Sequence, residues 1–578
     1  MKLFATLVLI ILLIPLAQAK SGHITLLTVT DVEGGKGGSA DLYLEVRPGE
    51  GAIFIDSVPL TKLDTQISTR YANQIACDFL KKDCNKYDFF YKIRANAGIV
   101  GGPSAGAAMT VLTIAVLADL NIDQKIAMTG TINSGGIIGP VAGIDQKIEG
   151  AINNGNTIII IPKWQSSINI SNIRNLTDKK ITVIKVKNVE EAMFHVTGKS
   201  YPQKDGEIAI LEAYSNKMNE VAEILCNRSE EILETIDKTN KSSFLSATDY
   251  LNYSEIAKKS GDHYSRASYC FSANIRLREL QFNNKSVEEI NEALLQTNNL
   301  LHTLNNNLKI REIKTLTELE TYIIVKERLT ETEKILADIN ESNISISSLA
   351  YAHERLFSAI AWSEFFELKG KEIDLNEELL ADVCLKKAAE AEERINYAEL
   401  YLPGFLEQAK EEVDEAYEYY NKKEFPLCIF KASKAKAEAN IFLAALYVND
   451  EDLENIINEK FATVKKIINE QNEKGLFPIL GYSYFQYSNS LLEHDPISSL
   501  TFTEYALEFS RLDLYFPVKE NDFKINLNYD KIELFVFGFI VGVAFILLIK
   551  IIRQDKSMNN NNKPGRLQEY RNLPGKKR

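Results

Sequence analysis

Hydrophobic and polar positions alternate in short runs over the first part of the chain, and glycine-rich turns separate these runs. Alternation with β-branched residues at 23–30 and 40–46 predicts two strands, because successive side chains of a strand point to opposite faces. Glycines between the two runs predict a turn. Further runs predict strands after Arg47, at 88–94, at 125–129 and at 157–162.

Apolar residues with helical spacing lie between these strands, at 65–82, 105–120 and 146–153. Strands and helices that follow one another in this way are typical of an α/β domain. We therefore predict a mixed α/β domain over residues 22–202.

The pattern changes near residue 205, where glycine and proline become sparse. From there Glu, Lys, Leu, Ala and Tyr recur with three- and four-residue spacing, which is the helical period. We predict an all-α helical array over 205–525. Similar sequences around Cys270 and Cys428 suggest a duplication, as in stacked helical repeats.

Both ends of the chain resemble membrane-directed segments. Residues 1–19 read as a signal peptide, with Lys2, a short apolar run and a small-residue cleavage site; an uncleaved anchor is the alternative. The apolar segment at 532–552 is long enough to cross a bilayer, although a buried core helix would show the same run. It predicts a single C-terminal transmembrane helix.

Nine basic and two acidic residues follow from Lys550 to the end. Such a bias predicts that the tail at 553–578 is cytoplasmic, and its polar composition predicts disorder. The body of a single-pass cell-membrane protein would then lie outside the cytoplasm.

Charge and cysteine content restrict the partners and the compartment. The net charge of −13 argues against nucleic acid as a partner. Six cysteines outside the cytoplasm would form disulfides, for which Cys77–Cys84, Cys226–Cys270 and Cys384–Cys428 are plausible pairs, with six buried thiols as the alternative. Candidate glycosylation sequons, each weak alone, begin at Asn169, Asn175, Asn227, Asn240, Asn252, Asn284, Asn340 and Asn343.

Candidate chemistry begins at Ser104, on a glycine-rich turn before an alanine-rich helix. A serine in this position is a nucleophile or a plain helix cap. The surrounding sequence fits the nucleophile elbow of α/β-hydrolases, but the nearby His195 has no persuasive acidic partner. Lys147, on a second predicted helix, is the better candidate base, although a lysine there would ordinarily be a solvated surface residue.

Four blocks of sequence occur in an order that is specific. They are Gly101-Gly-Pro-Ser-Ala-Gly106, Ala127-Met-Thr-Gly130, Gly139-Pro-Val-Ala-Gly-Ile-Asp-Gln-Lys147 and Thr157-Ile-Ile-Ile-Ile-Pro-Lys163. Over roughly 22–200 the chain resembles the proteolytic domain of the Lon family of Ser-Lys proteases. The resemblance implies the Lon proteolytic fold and a serine endopeptidase that needs no cofactor.

The resemblance also implies roles for individual residues. Ser104 would attack the peptide carbonyl, Lys147 would take its proton, and Thr129 would orient the lysine. A free lysine titrates at about 10.4, so Lys147 must be desolvated to act near neutrality. The backbone at Gly101, Gly102 and Ser104 would hold the oxyanion and the substrate main chain.

The chain also departs from the Lon pattern. Gly101 and Thr131 stand where Lon proteases often have acids, and Met193 replaces the first glycine of a Walker A motif that is otherwise suggested by Gly198-Lys199-Ser200. We expect an ATP-independent enzyme that acts on unfolded or flexible polypeptides. By resemblance its proteolytic domains would form a homo-oligomeric ring, with a hexamer as the candidate form. The alternative is a non-catalytic scaffold whose helical array binds partners.

Overall fold

The computed structural model describes residues 19–29, 35–95, 101–165, 180–201, 207–208, 212–236, 241–339, 344–401, 403–447, 450–516, 539–547 and 549–550. The described residues up to 516 belong to one compact unit. This unit contains an N-terminal α/β region followed by a helical array, which confirms the predicted order of classes. The predicted boundaries at 22–202 and 205–525 stay predictions.

A seven-stranded mixed sheet organises the α/β region, in the order β3-β4-β2-β1-β5-β8-β9. β6 and β7 form a separate antiparallel hairpin. The strands are β1 Lys20–Val29, β2 Gly37–Pro48, β3 Ile53–Val58, β4 Tyr87–Ala95, β5 Ile126–Met128, β6 Thr131–Ile132, β7 Ile138–Gly139, β8 Ile158–Pro162 and β9 Thr182–Val186. The helices are α1 Leu63–Phe79, α2 Gly106–Ala118, α3 Ile144–Asn153 and α4 Val189–Thr197.

Helices cover both faces of the sheet, and β1 shows why. Leu26 points into the core that contains α2, whereas its neighbour Leu27 points into a second core with Ile148 of α3. This follows from the two-residue period of a strand. Ser104 precedes α2 and Lys147 lies in α3, on opposite faces of the sheet, and both contact Thr129 just after the end of β5.

The helical array comprises twelve described helices. They are α5 Glu212–Thr235, α6 Lys241–Ser260, α7 His263–Asn283, α8 Val287–Lys309, α9 Leu316–Asp338, α10 Ile346–Ser363, α11 Glu377–Glu399, α12 Glu407–Asn421, α13 Phe425–Tyr447, α14 Asp450–Glu473, α15 Ile479–Leu491 and α16 Pro496–Phe509. One large apolar core runs through most of them, from Tyr214 to Phe516, whereas Ala247 of α6 packs in a smaller cluster with Ile232 and Leu277. Paired helices that share a continuous core are what the alanine- and leucine-rich periodicity predicts.

All six cysteines are paired in the structure. Cys77–Cys84 joins the end of α1 to the short turn before β4. Cys226–Cys270 joins α5 to α7, and Cys384–Cys428 joins α11 to α13, each across 44 residues. Two helices that are not adjacent in sequence are thereby cross-linked in each half of the array.

The predicted transmembrane helix at 532–552 is wrong, and with it the single-pass membrane location. In the described part of the chain, no helix combines enough length with enough apolar character to cross a bilayer. Of the predicted segment, 532–538, 548 and 551–552 lie outside the described residues. Outside them too lie the signal segment up to residue 18, the tail at 553–578, and the sequons at Asn169, Asn175, Asn240, Asn340 and Asn343.

Candidate active site

Ser104 is the second residue of a single helical turn, Pro103–Ala105, which leads directly into α2. Its side chain is half-buried. A residue at the start of a helix has an N–H without an intrahelical partner, and the helix dipole makes this position favourable for negative charge. The turn therefore combines an accessible hydroxyl with a backbone donor suited to an oxyanion.

The backbone before Ser104 requires glycine. Gly102 has φ +94°, a conformation that L side chains rarely adopt. Its N–H donates to Asp64 Oδ2 at 2.8 Å, and Thr65 N–H donates to the other oxygen of the same carboxylate at 2.6 Å. Asp64, in the first turn of α1, thus holds the turn that presents Ser104. The predicted oxyanion role of Gly101, Gly102 and Ser104 stays a prediction, with the Gly102 N–H engaged by Asp64.

Thr129 and Gly130 fasten the serine turn to the end of β5. Gly130 N–H donates to the Ser104 carbonyl at 2.8 Å, and the Thr129 hydroxyl donates to the same carbonyl at 3.2 Å. Ala107 N–H donates to the Gly130 carbonyl at 3.0 Å. These bonds fix the direction in which the turn enters α2.

Lys147 lies on the first turns of α3 and is 3% exposed. Gly143 is the N-cap residue of that helix and adopts the left-handed conformation. Its carbonyl accepts a hydrogen bond from Lys147 N–H at 2.9 Å. Val141, Ile144 and Ile148, the neighbours expected to desolvate the lysine, are all buried. Burial lowers the pKa of Lys147 to about 7, because low-dielectric surroundings disfavour the charged ammonium.

Thr129 connects the lysine with the serine turn. Lys147 Nζ donates to Thr129 Oγ1 at 3.4 Å, and that hydroxyl donates a hydrogen bond to the Ser104 carbonyl. Within the described residues no direct hydrogen bond joins the Ser104 hydroxyl to Nζ. Catalytic contacts are often long before substrate binds and shorten in the substrate complex.

Tyr397 of α11, in the helical array, touches both loops of the site. Its ring lies against the serine turn, 3.8 Å from the Cβ that a side chain at Gly102 would have. Its hydroxyl accepts from Ala142 N–H at 3.2 Å, just before α3, and from the Tyr401 hydroxyl at 3.0 Å. One side chain of the array thus spans the serine turn and the lysine helix.

Arg394, one helical turn before Tyr397, holds the β6–β7 hairpin. Its two terminal nitrogens donate to Asn133 Oδ1 at 2.8 Å and to the Ile132 carbonyl at 3.0 Å. The guanidinium is buried, so these bonds replace its hydration. The helical array therefore holds the hairpin that follows Thr129.

Replacing Tyr397 with Phe should lower kcat about tenfold and change KM little. The variant leaves the buried Ala142 N–H without an acceptor, which costs about 1–3 kcal/mol and displaces the start of α3. Tyr401→Phe is the matched control, because it removes a hydroxyl but keeps the acceptor for Ala142. Steady-state hydrolysis of a fluorogenic peptide checks this. Equal kcat in both variants would show that Tyr397 does not position the lysine helix.

The sequence indicated Ser104, Lys147 and Thr129, which the structure brings together. It did not indicate Asp64, Arg394 or Tyr397. Asp64 lies 38 residues before its partner Gly102, and Tyr397 lies 255 residues after Ala142. No local spacing signals such contacts. His195, at the end of α4, forms no hydrogen bond with Ser104 among the described residues.

Comparison with known proteins identifies the region that carries this geometry. Residues 62–199 match the Lon protease (S16) C-terminal proteolytic domain. The chain is 28% identical over 160 residues to Lon protease of Fervidobacterium nodosum, covering 27% of this chain and 20% of that protein. It is 35% identical over 92 residues to Lon protease of Trichlorobacter lovleyi, covering 16% and 11%. It is 36% identical over 97 residues to archaeal Lon protease of Archaeoglobus fulgidus, covering 17% and 15%.

The chain spans between 11% and 20% of the length of these relatives. The matched range contains Asp64, Ser104, Thr129 and Lys147, whereas Arg394 and Tyr397 lie beyond it. These matches show that residues 62–199 are similar to the proteolytic domain of Lon proteases.

Proposed function

We propose that this chain is a serine endopeptidase in which Ser104 is the nucleophile and Lys147 the general base. The observation that carries the proposal is the buried amine of Lys147, whose pKa burial lowers to about 7 and which is linked through Thr129 to the carbonyl of a serine at a helix start. A lysine with its ordinary pKa would be a poor base near neutrality.

The reaction proceeds by two acyl transfers. Ser104 Oγ attacks the carbonyl carbon of the peptide bond while its proton passes to Lys147 Nζ. The Ser104 N–H stabilises the oxyanion of the tetrahedral intermediate. Lys147 then gives the proton to the leaving amine, and an acyl-enzyme forms. Water attacks the ester, Lys147 takes the water proton and returns it to Ser104, and the peptide acid leaves.

The substrates are unfolded or flexible polypeptides, and cleavage needs no ATP. Tyr397 of the array lies against the serine turn and binds Ala142 before the lysine helix, which favours an extended chain over a folded domain. Casein should be cleaved at the same rate with and without ATP, and a disulfide-linked folded protein should resist until it is reduced. ATP-dependent cleavage by the isolated chain would contradict this. Assembly of the proteolytic domains into a ring is part of the proposal, and sedimentation tests it.

Activity should rise with pH through about pH 7. Below that value Lys147 carries a proton and cannot accept another, so kcat/KM should fall about tenfold per pH unit. The kcat/KM profile of a neutral peptide measures this limb. A limb centred near pH 4 or pH 10 would contradict the assignment of the base.

The lowered pKa of Lys147 also predicts that the free energy of unfolding depends on pH. The unfolded lysine titrates near 10.5 and the folded one near 7, so the unfolded chain binds more protons between these values. The free energy of unfolding should therefore rise from pH 7 to pH 10 in the wild type relative to Lys147→Met. Denaturant titrations of the two proteins check this difference.

A further inference from the structure

Lys62 lies directly before α1 and reaches across the turn that presents Ser104. A Cβ placed on Gly101 would lie 2.7 Å from Cδ of Lys62, 3.1 Å from its Cγ and 3.3 Å from its Cε. The aliphatic part of the lysine thus occupies the space that a side chain at position 101 would enter. Gly101 stands three residues before Ser104, and both Lys62 and Gly101 are exposed.

This placement brings the ammonium group of Lys62 close to the bond that Ser104 would attack. Consecutive Cα atoms are about 3.8 Å apart, so the Cα atoms of Gly101 and Ser104 are separated by at most about 11 Å. An extended substrate advances about 3.3–3.6 Å per residue. A cation beside Gly101 is therefore within reach of substrate side chains about three residues from the scissile bond.

The charge of Lys62 has no partner within the protein. Among the described residues, its ammonium group forms no hydrogen bond and no ion pair. Asp64, the nearest acid in the sequence, accepts instead from the Gly102 N–H at 2.8 Å and from the Thr65 N–H at 2.6 Å. The ammonium group is therefore available to a substrate that lies along the serine turn.

Position 62 is also a poor one for a lysine on structural grounds. Lys62 is the N-cap residue of α1, and its side chain makes no capping hydrogen bond. Ser, Thr, Asp and Asn are preferred there, because their side chains accept from the first N–H groups of the helix. A cation at a helix start also opposes the helix dipole. Residues that break a local rule in this way are expected at functional sites.

We propose that Lys62 is a specificity-determining residue, which binds an aspartate or glutamate side chain of the substrate within about three residues of the scissile bond. This rests on the proposed function, since it takes Ser104 as the group that attacks the peptide. An ammonium group is a compact point charge that pairs with anions, and the anionic side chains of a polypeptide are those of Asp and Glu. Cleavage is therefore expected in acidic stretches of unfolded substrates.

Pairs of fluorogenic peptides that differ only in Asp or Asn at one position test this proposal. Both ends are capped, and the position moves through the three residues on each side of the scissile bond. At one or two positions Asp should raise kcat/KM about threefold over Asn, as for an exposed ion pair, and about 0.5 M salt should reduce this preference. Lys62→Met, which keeps the aliphatic stem, should abolish it, and Lys62→Glu should reverse it.

Lys259→Met is the matched control, because Lys259 is exposed in the last turn of α6, and it should keep the wild-type preference. Lys62→Met should unfold at the wild-type temperature or above it, whereas a structural role for the lysine would lower that temperature. Equal ratios of Asp to Asn peptides in the wild type, Lys62→Met and Lys62→Glu would overturn the proposal.

Binding measurements separate this proposal from the proposed function. In the Ser104→Ala protein, fluorescence anisotropy of the labelled peptides gives the ratio of their dissociation constants without cleavage, and this ratio should depend on Lys62 in the same way. Independence from Lys62, in an enzyme that still cleaves through Ser104, would contradict the role of Lys62 alone. Binding that depends on Lys62, in a protein that cleaves none of the peptides, would contradict the proposed function alone.

Discussion

Ser104→Ala should reduce kcat/KM for an unfolded protein substrate by at least about 10³-fold, and Lys147→Met should do the same. The serine supplies the attacking oxygen and the lysine receives its proton, so the loss of either stops acyl transfer, and the double variant should be no worse than either single one. Methionine is chosen because it fills the space of the buried lysine stem without a titratable group. Timed digestion of casein, followed by mass spectrometry of the products, measures the effect.

One exposed serine and one exposed lysine serve as controls for this experiment. Ser347→Ala and Lys386→Met change the same residue types at exposed positions of the array and should leave cleavage unchanged. Residual activity above a few per cent in Ser104→Ala would show that Ser104 is not the nucleophile. A full loss in Ser104→Ala with normal activity in Lys147→Met would leave a serine enzyme with a different base.

Glu508→Gln should destabilise the protein by about 3–5 kcal/mol, the usual effect of breaking a buried ion pair. Glu508 is fully buried, accepts from Ser134 Oγ at 2.8 Å, and pairs with Lys387 and Lys436, each at 3.2 Å. The amide is the same size but leaves two buried ammonium groups with less compensating charge. Denaturant unfolding should show the loss.

The contacts of Glu508 join the array to the proteolytic region. The Tyr71 hydroxyl of α1 lies 2.7 Å from Ser134 Oγ, and Lys436 Nζ lies 4.0 Å from the centre of the Tyr71 ring. Because Ser134 lies in the β6–β7 hairpin, Glu508→Gln should also lower activity at temperatures where the protein remains folded.

Low pH should weaken the ion pairs of Glu508 with Lys387 and Lys436, because its carboxylate then takes up a proton. Burial raises the pKa of Glu508, but the two lysines outweigh that effect and hold it at about 2. The folded carboxylate titrates below the unfolded one, so its stabilising effect is present above pH 4.5 and is lost as pH falls towards 2. Glu292→Gln, at an exposed position of α8, should change stability by less than about 0.5 kcal/mol. Equal stability of the two variants would show that Glu508 is not a critical part of the interface.

Much of the fold was predictable because its signals are local. Strand alternation around Leu26 and Leu27, and the apolar helix after Gly106, follow from two- and 3.6-residue periods. Gly106 has a cause that is not local, since a side chain there would meet Ile132 Cγ2 at 2.8 Å. The sheet order was not predictable, because it depends on which strands pair across long separations.

The site was predictable only in part, for the same reason. Ser104, Thr129 and Lys147 belong to blocks whose order is recognisable in sequence. The contributions of Asp64, Arg394 and Tyr397 arise from packing between segments that are far apart along the chain. Nothing in the spacing of α11 distinguishes Tyr397 from the many tyrosines that build the array core.

The error at the C-terminal end comes from inferring a spanning helix from an uncharged run, its position near the end of the sequence and the basic residues that follow it. In the part of the chain that the structure describes, no helix is both long and apolar enough to cross a bilayer.

The pairing of a serine hydroxyl with an uncharged lysine is tested most directly by the rate at which a fluorophosphonate modifies Ser104. We predict a single adduct on Ser104, located by peptide mass spectrometry, that forms faster as pH rises through about 7 and does not form in Lys147→Met. Modification of Ser104 at the same rate in Lys147→Met, or an adduct on another residue only, would contradict the account.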